Sequence, residues 1–466
     1  MAGIDSALAS LRGPDMADCL PAAPINQLAR TLGLEFRQRT LTPGRTLQLF
    51  VQQVAHGNIA CAAMRHLAGE DFTDSAWCQA RARLPVELIA QVLDHMVQAA
   101  RRNLDLTGDV GDGSYRWHGH RVHVLDGTSD SMPDTPELRQ HYGVPAGCRA
   151  GLGFPTSHLL LTMDHASGLL VQAVDAPLNT SDLSQTPQAH ASLSPGDLLL
   201  GDEVFSSWGH LALILQAHLH ALTPVHHRRI VDFTAGRAHA HPHRGKNSSK
   251  AAKPRSRVLR TLGPDDQLVE YFKPVEKPAW MDEASWAALP AALTVREIRR
   301  TVQRHGFRPL TVTIVTTLLD PQIYPAEELI ELRLSRWTIE TNIRHLKITL
   351  GMDVLKCQTL AGIRKERLVF LLVYNLIRLL LQVARGQCVH IHRLSFADAP
   401  AWLRLSCILV SVPDPGPSAR GFWGRIRPGC CLWRHESSGN LVHRSAGRWR
   451  TVTHGDVSFH NEGDRT

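Results

Sequence analysis

The sequence has no two cysteines at Cys-x2-Cys spacing, although it contains nine cysteines among 466 residues. The odd number of cysteines and the absence of Cys-x2-Cys spacing argue against a disulfide framework or a zinc knuckle. Both features fit a reducing cytosol. The N-terminus lacks a basic region followed by an apolar run, so we expect no secretory signal. The most apolar stretch, 368–382, is interrupted by Asn375 and Arg378, which predicts a buried core helix rather than a membrane span.

Charged residues are also few, at 20% of the chain, whereas hydrophobic residues reach 43%. This balance predicts a folded protein rather than a disordered one. Lys and Arg outnumber Asp and Glu by 51 to 43, which gives a formal net charge of +8. That surplus suits a polyanionic partner such as nucleic acid, and it equally fits a basic enzyme without one.

Changes of pattern divide the chain into five segments. Residues 1–107 have apolar residues at helical spacing and predict a helical N-terminal domain, either a structural cap or a DNA-docking domain. Residues 108–225 and 309–400 are interpreted as two parts of one core. Between them, residues 226–308 predict a basic, β-rich insertion. Residues 401–466 are poor in apolar residues and predict an atypical, poorly ordered tail, which we interpret as altered by a frameshift.

The first part of the core determines the predicted fold class. Runs at 158–163 and 169–174 flank a turn that ends in glycine, which is typical of a β-hairpin. Helical and strand-like segments then alternate. This order predicts an α/β fold, with a mixed sheet flanked by helices as in ribonuclease-H-like cores.

Three widely separated acidic residues are candidates for metal binding. Asp126 and Asp202 each close a strand-like run, and Glu340 lies in the helical segment 333–347. Hard divalent cations prefer oxygen ligands, and two-metal phosphoryl chemistry needs carboxylates from several elements. Taken alone, Asp126 also fits a turn and Asp202 also fits a helix cap.

Neighbouring residues compete for these roles. Glu203 follows Asp202 and is expected to point to the opposite side of the strand end. Asp130 and Asp134 are expected in a polar loop beyond Asp126. In the insertion, three histidines alternate along a basic loop. Histidines so spaced would coordinate a metal poorly in tetrahedral geometry, so we favour a mobile basic loop that reaches toward phosphates. They are His239, His241 and His243.

The segment around Glu340 carries an excess of cations. Arg336 precedes Glu340 by four residues and Lys347 follows it by seven, which in a continuous helix places all three within ~40° of arc. Exposed i,i+4 ion pairs are the usual explanation for such charges. Here Arg333 and Arg344 lie on the same face, which indicates a metal-binding glutamate among phosphate-binding cations.

These motifs resemble the DDE transposases of bacterial insertion sequences, in the IS-four-type group defined by Tyr-x2-Arg-x3-Glu-x6-Lys. The pattern Arg336-x3-Glu340-x6-Lys347 matches three of the four positions, and Arg333 occupies the tyrosine position. Supporting motifs lie at 124–128, 142–145, 151–155, 201–205 and 351–355. The resemblance covers roughly residues 30–400.

The resemblance implies a ribonuclease-H-like catalytic core with a β-rich insertion. It implies that Asp126, Asp202 and Glu340 are catalytic and hold two Mg²⁺ ions, for which Mn²⁺ can substitute. The expected reaction is phosphodiester hydrolysis and strand transfer at the ends of the element. The implied DNA phosphate-binding residues are Arg333, Arg336, Arg344 and Lys347.

The resemblance also implies the partners. They are double-stranded DNA, as terminal inverted repeats and as target, and a second copy of the chain in a homodimer on DNA. The expected location is the bacterial cytoplasm, at the nucleoid, with no membrane partner. Two alternatives stay open: a metal-dependent nuclease of the same fold without strand transfer, and an inactive DNA-binding remnant.

Overall fold

The structure is a computed structural model of the chain. It describes residues 20–107, 115–147, 149, 152–240, 253–304, 308–387 and 396, and three C-terminal strands. None of the helices within these ranges is long and apolar enough to cross a membrane. His241 and His243 of the predicted basic loop lie outside the described residues, as does most of the predicted tail.

The helices are α1 (Ala22–Thr31), α2 (Pro43–Ala55), α3 (Met64–Ala68), α4 (Asp74–Arg83), α5 (Val86–Thr107), α6 (Pro136–Tyr142), α7 (Asp182–His190), α8 (Trp208–Gln216), α9 (Glu283–Ala288), α10 (Ala326–Ser335), α11 (Thr338–Arg344) and α12 (Leu360–Gln387). The strands are β1 (Val122–Ser131), β2 (Thr156–Asp164), β3 (Leu170–Pro177), β4 (Leu198–Leu200), β5 (His220–Pro224), β6 (Ser256–Gly263), β7 (Asp266–Phe272), β8 (Ala292–Arg304), β9 (Leu310–Thr316), β10 (Leu441–Ser445), β11 (Arg448–Val452) and β12 (Val457–His460).

The chain forms two compact units. The first contains Met1–Arg116, Gly127–Thr180 and Thr338–Trp433, and the second contains Trp117–Asp126, Ser181–Trp337 and Arg434–Thr466. The boundary after Asp126 falls inside β1, so this strand contributes to both units. The five-segment division of the sequence stays a prediction.

The first unit contains the helical N-terminal segment. The cap of α4 is Thr73, whose side chain accepts a hydrogen bond from the backbone N–H of Ala76, and the helix ends before Pro85. β2 and β3 pair in antiparallel register, with Gly168 at φ +68 in their turn. This confirms the predicted hairpin. β2 also lies beside β1.

The long helix α12 is the core helix predicted from the apolar run. It packs against α2 and α5, and every residue from 369 to 377 is buried. Asn375 is tolerated there because its side chain exchanges two hydrogen bonds, both 2.8 Å, with the backbone of Leu170 in β3. The polar interruption of this run is therefore a link between helix and sheet.

The second unit is built on a mixed sheet in the order β1-β4-β5-β9-β8-β7-β6. β1, β4 and β5 are parallel, and the pairs from β5 to β6 are antiparallel. The chain is thus mixed α/β, as predicted. Strands β6, β7 and β8 lie in the segment predicted to be β-rich. Among the C-terminal strands, β10 pairs with β11 and β12 pairs with β8, in both cases antiparallel.

Candidate active site

Asp126 and Asp202 occupy equivalent positions on neighbouring strands of the second unit. β1 and β4 are parallel with Val124 opposite Leu200, and each aspartate follows its member of this pair by two residues. Asp202 keeps an extended backbone, with φ −77 and ψ −173. Because side chains alternate along extended backbone and adjacent strands lie about 4.8 Å apart, both carboxylates are presented on one face at the same edge of the sheet.

Asp126 does not end its strand, which corrects the prediction. β1 continues to Ser131, with β2 as its hydrogen-bonded neighbour, and another segment of the first unit pairs with its last residue. The backbone N–H of Ser131 donates to the carbonyl of Asp353, and the N–H of Leu355 donates to the carbonyl of Ser131, both at 2.9 Å. Asp126 is therefore a strand residue and not a turn residue.

Asp202 has the capping role that its sequence position allowed. Its Oδ1 accepts a hydrogen bond of 2.9 Å from the N–H of Val204 and caps the short 3₁₀ helix Glu203–Ser206. The cap fixes the rotamer of Asp202, and a carboxylate has further lone pairs with which to bind a cation. Capping and metal binding are thus compatible at this residue.

Arg336 contacts Asp126 directly. Its Nη1 lies 3.3 Å from Oδ2 of Asp126, and the two side chains are only 11% and 22% exposed. A guanidinium beside a half-buried carboxylate compensates its charge when no other cation is near. The sequence motif predicted Arg336 as a phosphate ligand and gave no sign of this contact.

The helix predicted through Arg336 and Glu340 is interrupted, which is a second correction. α10 ends at Ser335, whose hydroxyl donates to the carbonyl of Leu332 at 2.6 Å. The N–H of Arg336 donates instead to Arg333, one residue closer in sequence than an α-helical acceptor. This competition for the Leu332 carbonyl tightens the last turn and ends the helix.

The remaining cations are distributed around this break. Arg333 lies in the last turn of α10, in the second unit. Glu340 is in the first turn of α11 and Arg344 in its last turn, while Lys347 lies in a π-helical turn, His345–Thr349; all three belong to the first unit. The break and the π turn change the angular spacing, so the single helical face predicted from 100° per residue does not hold.

Asp130 is not in a polar loop, contrary to prediction, and its position excludes it as a metal ligand. It lies in β1, and its side chain is fully buried against Arg367 of α12, with N–O distances of 2.9 and 3.0 Å. Ser157 also donates to it at 2.5 Å. Asp134 pairs with Arg139 at 2.6 Å. Both competitors of Asp126 are thus already neutralised by arginines.

Glu203 has a specific partner. Oε1 lies 2.7 Å from Nδ1 of His227, and this hydrogen bond is the main reason that the pKa of Glu203 is below its ordinary value. His226 lies beside them. Among the described residues, these three form the one group of three or more His, Cys, Asp or Glu side chains whose donor atoms lie close enough to bind a common metal. Sequence reasoning missed this cluster, because His226 and His227 follow Glu203 only after a helix and a strand.

Two tryptophans near these residues differ in burial. Trp208 is 3% exposed and packs in the core, where its Nε1–H donates to the carbonyl of Tyr271 at 3.0 Å. Trp337, next to Arg336, is 59% exposed.

Comparison with known proteins identifies the family of the chain. A family model described as the transposase DDE domain matches residues 117–376, more than half of the chain, and this range includes Asp126, Asp202 and Glu340. The chain therefore belongs to the family of transposases with a DDE domain, which confirms the resemblance seen in its motifs.

Two relatives from Escherichia coli (strain K12) are similar to the chain. It is 30% identical to the putative transposase InsZ over 92 residues, which cover 20% of this chain and 31% of that protein. It is 24% identical to transposase InsG for insertion sequence element IS4 over 312 residues, which cover 65% of this chain and 60% of that protein. The chain thus spans less than two thirds of the length of either relative.

Proposed function

We propose that the chain is the DNA transposase of an insertion sequence, and that it catalyses Mg²⁺-dependent phosphodiester hydrolysis and strand transfer at the element's ends in cut-and-paste transposition. The observation that carries this proposal is the parallel register of β1 and β4, which puts Asp126 and Asp202 at equivalent positions on neighbouring strands within the matched domain. Converging carboxylates are what two-metal phosphoryl chemistry requires. The name of the IS4 transposase supports an insertion sequence as the substrate element.

The strand order supports a ribonuclease-H-like core. In the first unit β3 lies beside β2 and β2 beside β1, and in the second unit β1, β4 and β5 are neighbours. A ribonuclease-H-like sheet has this order, with its acidic residues on the first and fourth strands. The β-rich segment between β5 and β9 then corresponds to the insertion before the glutamate.

The proposed ligands are Asp126, Asp202 and Glu340. Their donor set consists entirely of carboxylate oxygens, which fits Mg²⁺ and also Mn²⁺. Two such ions, when bound, supply Lewis-acid activation of the attacking oxygen and stabilisation of the leaving oxygen. The Asp202 cap holds one carboxylate in a fixed direction, and β1 holds the other on a rigid strand.

The basic residues around Glu340 are proposed to bind the DNA backbone. Arg333, Arg336, Arg344 and Lys347 together provide four cations near the end of α10 and on α11 and the π turn. Arg336 has a second task in this proposal: it neutralises Asp126 before the metal and DNA bind. Guanidinium groups suit both tasks, because they bind carboxylates and phosphates with the same donors.

The proposed partners follow from the reaction. They are double-stranded DNA, as terminal inverted repeats and as target, and a second copy of the chain in a DNA-bound homodimer. Residues 1–107 are proposed as a domain that contacts the DNA ends. The bacterial nucleoid is the proposed site of action.

The proposal is tested by Mg²⁺-dependent cleavage and joining of DNA that carries the repeats flanking the gene. Wild type is compared with Asp202→Asn, because asparagine keeps the Oδ1 acceptor of the cap while it removes the charge. The matched control is Asp320→Asn, since Oδ1 of Asp320 also accepts from the N–H two residues on, that of Gln322, at 2.8 Å.

Cleavage and joining by the wild type and by Asp320→Asn, together with a loss of 10²-fold or more in Asp202→Asn, supports the proposal. Cutting without joining supports the nuclease of the same fold instead. DNA binding without any Mg²⁺-dependent cutting, equal in all three proteins, supports the inactive remnant.

A further inference from the structure

A second group of possible metal ligands lies next to Asp202 in the second unit. It consists of Glu203, His226 and His227, whose donor atoms all lie within 4.8 Å of one another. Glu203 begins the 3₁₀ turn Glu203–Ser206, and the two histidines follow β5. The family motif assigns no role to either histidine.

The two segments that carry these residues are held together by hydrogen bonds. The backbone N–H of His227 donates to Glu203 Oε2 at 3.2 Å, and its Nδ1 lies 2.7 Å from Oε1. The N–H of His226 donates to the hydroxyl of Ser206 at 3.1 Å, and that hydroxyl donates to the carbonyl of Glu203 at 2.7 Å. The donor groups are therefore positioned before any ion arrives, which reduces the cost of binding.

Both imidazoles can provide a ring nitrogen to a common ion. At His227 the ion replaces the hydrogen bond between Nδ1 and Glu203. At His226 it replaces at most one hydrogen bond, of 3.1 Å, from the N–H of Arg228 to Nδ1. The two imidazole rings are stacked with their centroids 4.3 Å apart, so they turn slightly toward each other when both bind the ion. The side chains of Glu203 and His227 are 40% and 62% exposed, so water can fill the remaining coordination positions.

We propose that Glu203, His226 and His227 bind a transition-metal ion of the zinc class, at a site distinct from the Mg²⁺ site formed by Asp126, Asp202 and Glu340. Two imidazoles and one carboxylate favour Zn²⁺ or Co²⁺, whereas Mg²⁺ prefers oxygen ligands alone. The inference goes beyond the proposed function and does not depend on it.

The ion has a structural consequence for the neighbouring aspartate. It links the 3₁₀ turn Glu203–Ser206 to the segment after β5, and Asp202 is the cap of that same turn. A bound ion therefore restricts movement of the backbone that carries Asp202. The ion thus acts on Asp202 through this turn and does not itself contact the DNA.

The test uses the full chain and Zn²⁺ alone as the probe, in equilibrium dialysis with excess Mg²⁺ present. Glu203→Gln is compared with Glu328→Gln, because Glu328 is also an exposed carboxylate paired with a histidine, His118, at 2.6 Å. His118 and Glu328 are not part of a metal-capable group among the described residues. Wild type and Glu328→Gln should bind one more equivalent of Zn²⁺ than Glu203→Gln, or bind it roughly tenfold or more tightly.

Two further variants separate the site from its neighbours. Asp202→Asn should keep this equivalent, and a His226→Ala/His227→Ala double variant should lose it while its far-ultraviolet circular dichroism stays that of the wild type. Co²⁺ provides an independent readout, since imidazole ligation gives visible absorption bands that should disappear in the same variants. Equal Zn²⁺ binding by wild type, Glu203→Gln and the double variant would overturn the proposal, whatever the result of the cleavage assay.

Discussion

At the scale of single residues, Arg336 compensates the charge of Asp126, a proposed metal ligand. In the proposed function a metal ion compensates the same carboxylate, so we expect the guanidinium and the metal to compete for it. We predict that Arg336→Gln binds Mn²⁺ more tightly than wild type, as followed by electron paramagnetic resonance titration. The same variant should lose about 10²-fold in cleavage rate, because a cation near the phosphate is missing.

Arg336→Lys provides the comparison. Lysine keeps the positive charge but lacks the planar guanidinium that donates two parallel hydrogen bonds. Its Mn²⁺ affinity should therefore stay near that of wild type, and its cleavage rate should lie between those of wild type and Arg336→Gln. Weaker Mn²⁺ binding in Arg336→Gln would contradict this prediction and would mean that Arg336 mainly holds Asp126 in position.

The buried pair of Asp130 and Arg367 is a second case at this scale. Asp130 is fully buried and Arg367 is 4% exposed, so removal of the arginine leaves a carboxylate without its counter-ion. We predict that Arg367→Met lowers the free energy of unfolding by about 3–5 kcal/mol, as measured by urea denaturation.

Arg364 is the matched control for Arg367. It lies on the same helix, is 40% exposed and approaches Asp175 only to 3.6 Å. Arg364→Met should therefore cost less than about 1 kcal/mol. Similar losses of unfolding free energy in the two variants would show that the buried ion pair of Asp130 and Arg367 stabilises the fold no more than an exposed pair.

At the scale of elements, helices α7 and α8 meet at a pair of neutral histidines. Nε2 of His190 lies 3.1 Å from Nε2 of His210, and Nδ1–H of His210 donates to the carbonyl of Phe205 at 2.7 Å. Burial lowers the pKa of His210 to about 4. Burial, and next the neighbouring His210, lower the pKa of His190 to about 3.

These low pKa values make the stability depend on pH. Below the unfolded-state pKa of about 6.5 the unfolded chain takes up protons at both histidines and the folded chain does not, so acid favours unfolding. We predict that the free energy of unfolding falls between pH 6.5 and about 4, by up to roughly 1.4 kcal/mol per pH unit for each histidine. Denaturant titrations at several pH values measure this slope. A His190→Gln/His210→Gln double variant that kept the full slope would contradict the assignment.

The predictions from sequence succeeded where local pattern determines structure. The hairpin turn and the buried helix α12 follow from periodicity and from a single turn residue. The failures arose where a distant segment provides hydrogen bonds. β1 extends past Asp126 beside β2, and its last residue, Ser131, pairs with Asp353 and Leu355, more than 200 residues away.

The candidate site follows this division only in part, because one of its failures is local. Motif spacing selected the two aspartates as candidates, and the register of β1 and β4 puts their backbone positions on neighbouring strands. Spacing could not reveal that Ser335 takes the carbonyl of Leu332 and ends α10 before Glu340. It also could not pair Glu203 with His227, because only the fold brings β5 back to the 3₁₀ turn.

At the scale of the whole molecule, the net charge of +8 favours association with DNA of any sequence. Each phosphate contact releases counter-ions, so the logarithm of the association constant should fall linearly with the logarithm of salt concentration. We predict that Arg344→Gln and Lys347→Gln each make this slope shallower by about one, as measured by fluorescence anisotropy with a labelled duplex.

The control for this prediction is an arginine whose charge is already compensated. Arg139 makes two hydrogen bonds to Asp134, at 2.8 and 2.6 Å, and should contribute little to counter-ion release. Arg139→Gln is therefore expected to keep the wild-type slope. If all three variants shift the slope equally, the attraction comes from net charge alone and the cations near Glu340 have no special contact with the backbone. A change confined to Arg344 and Lys347 places phosphates beside the proposed third ligand of the metal site.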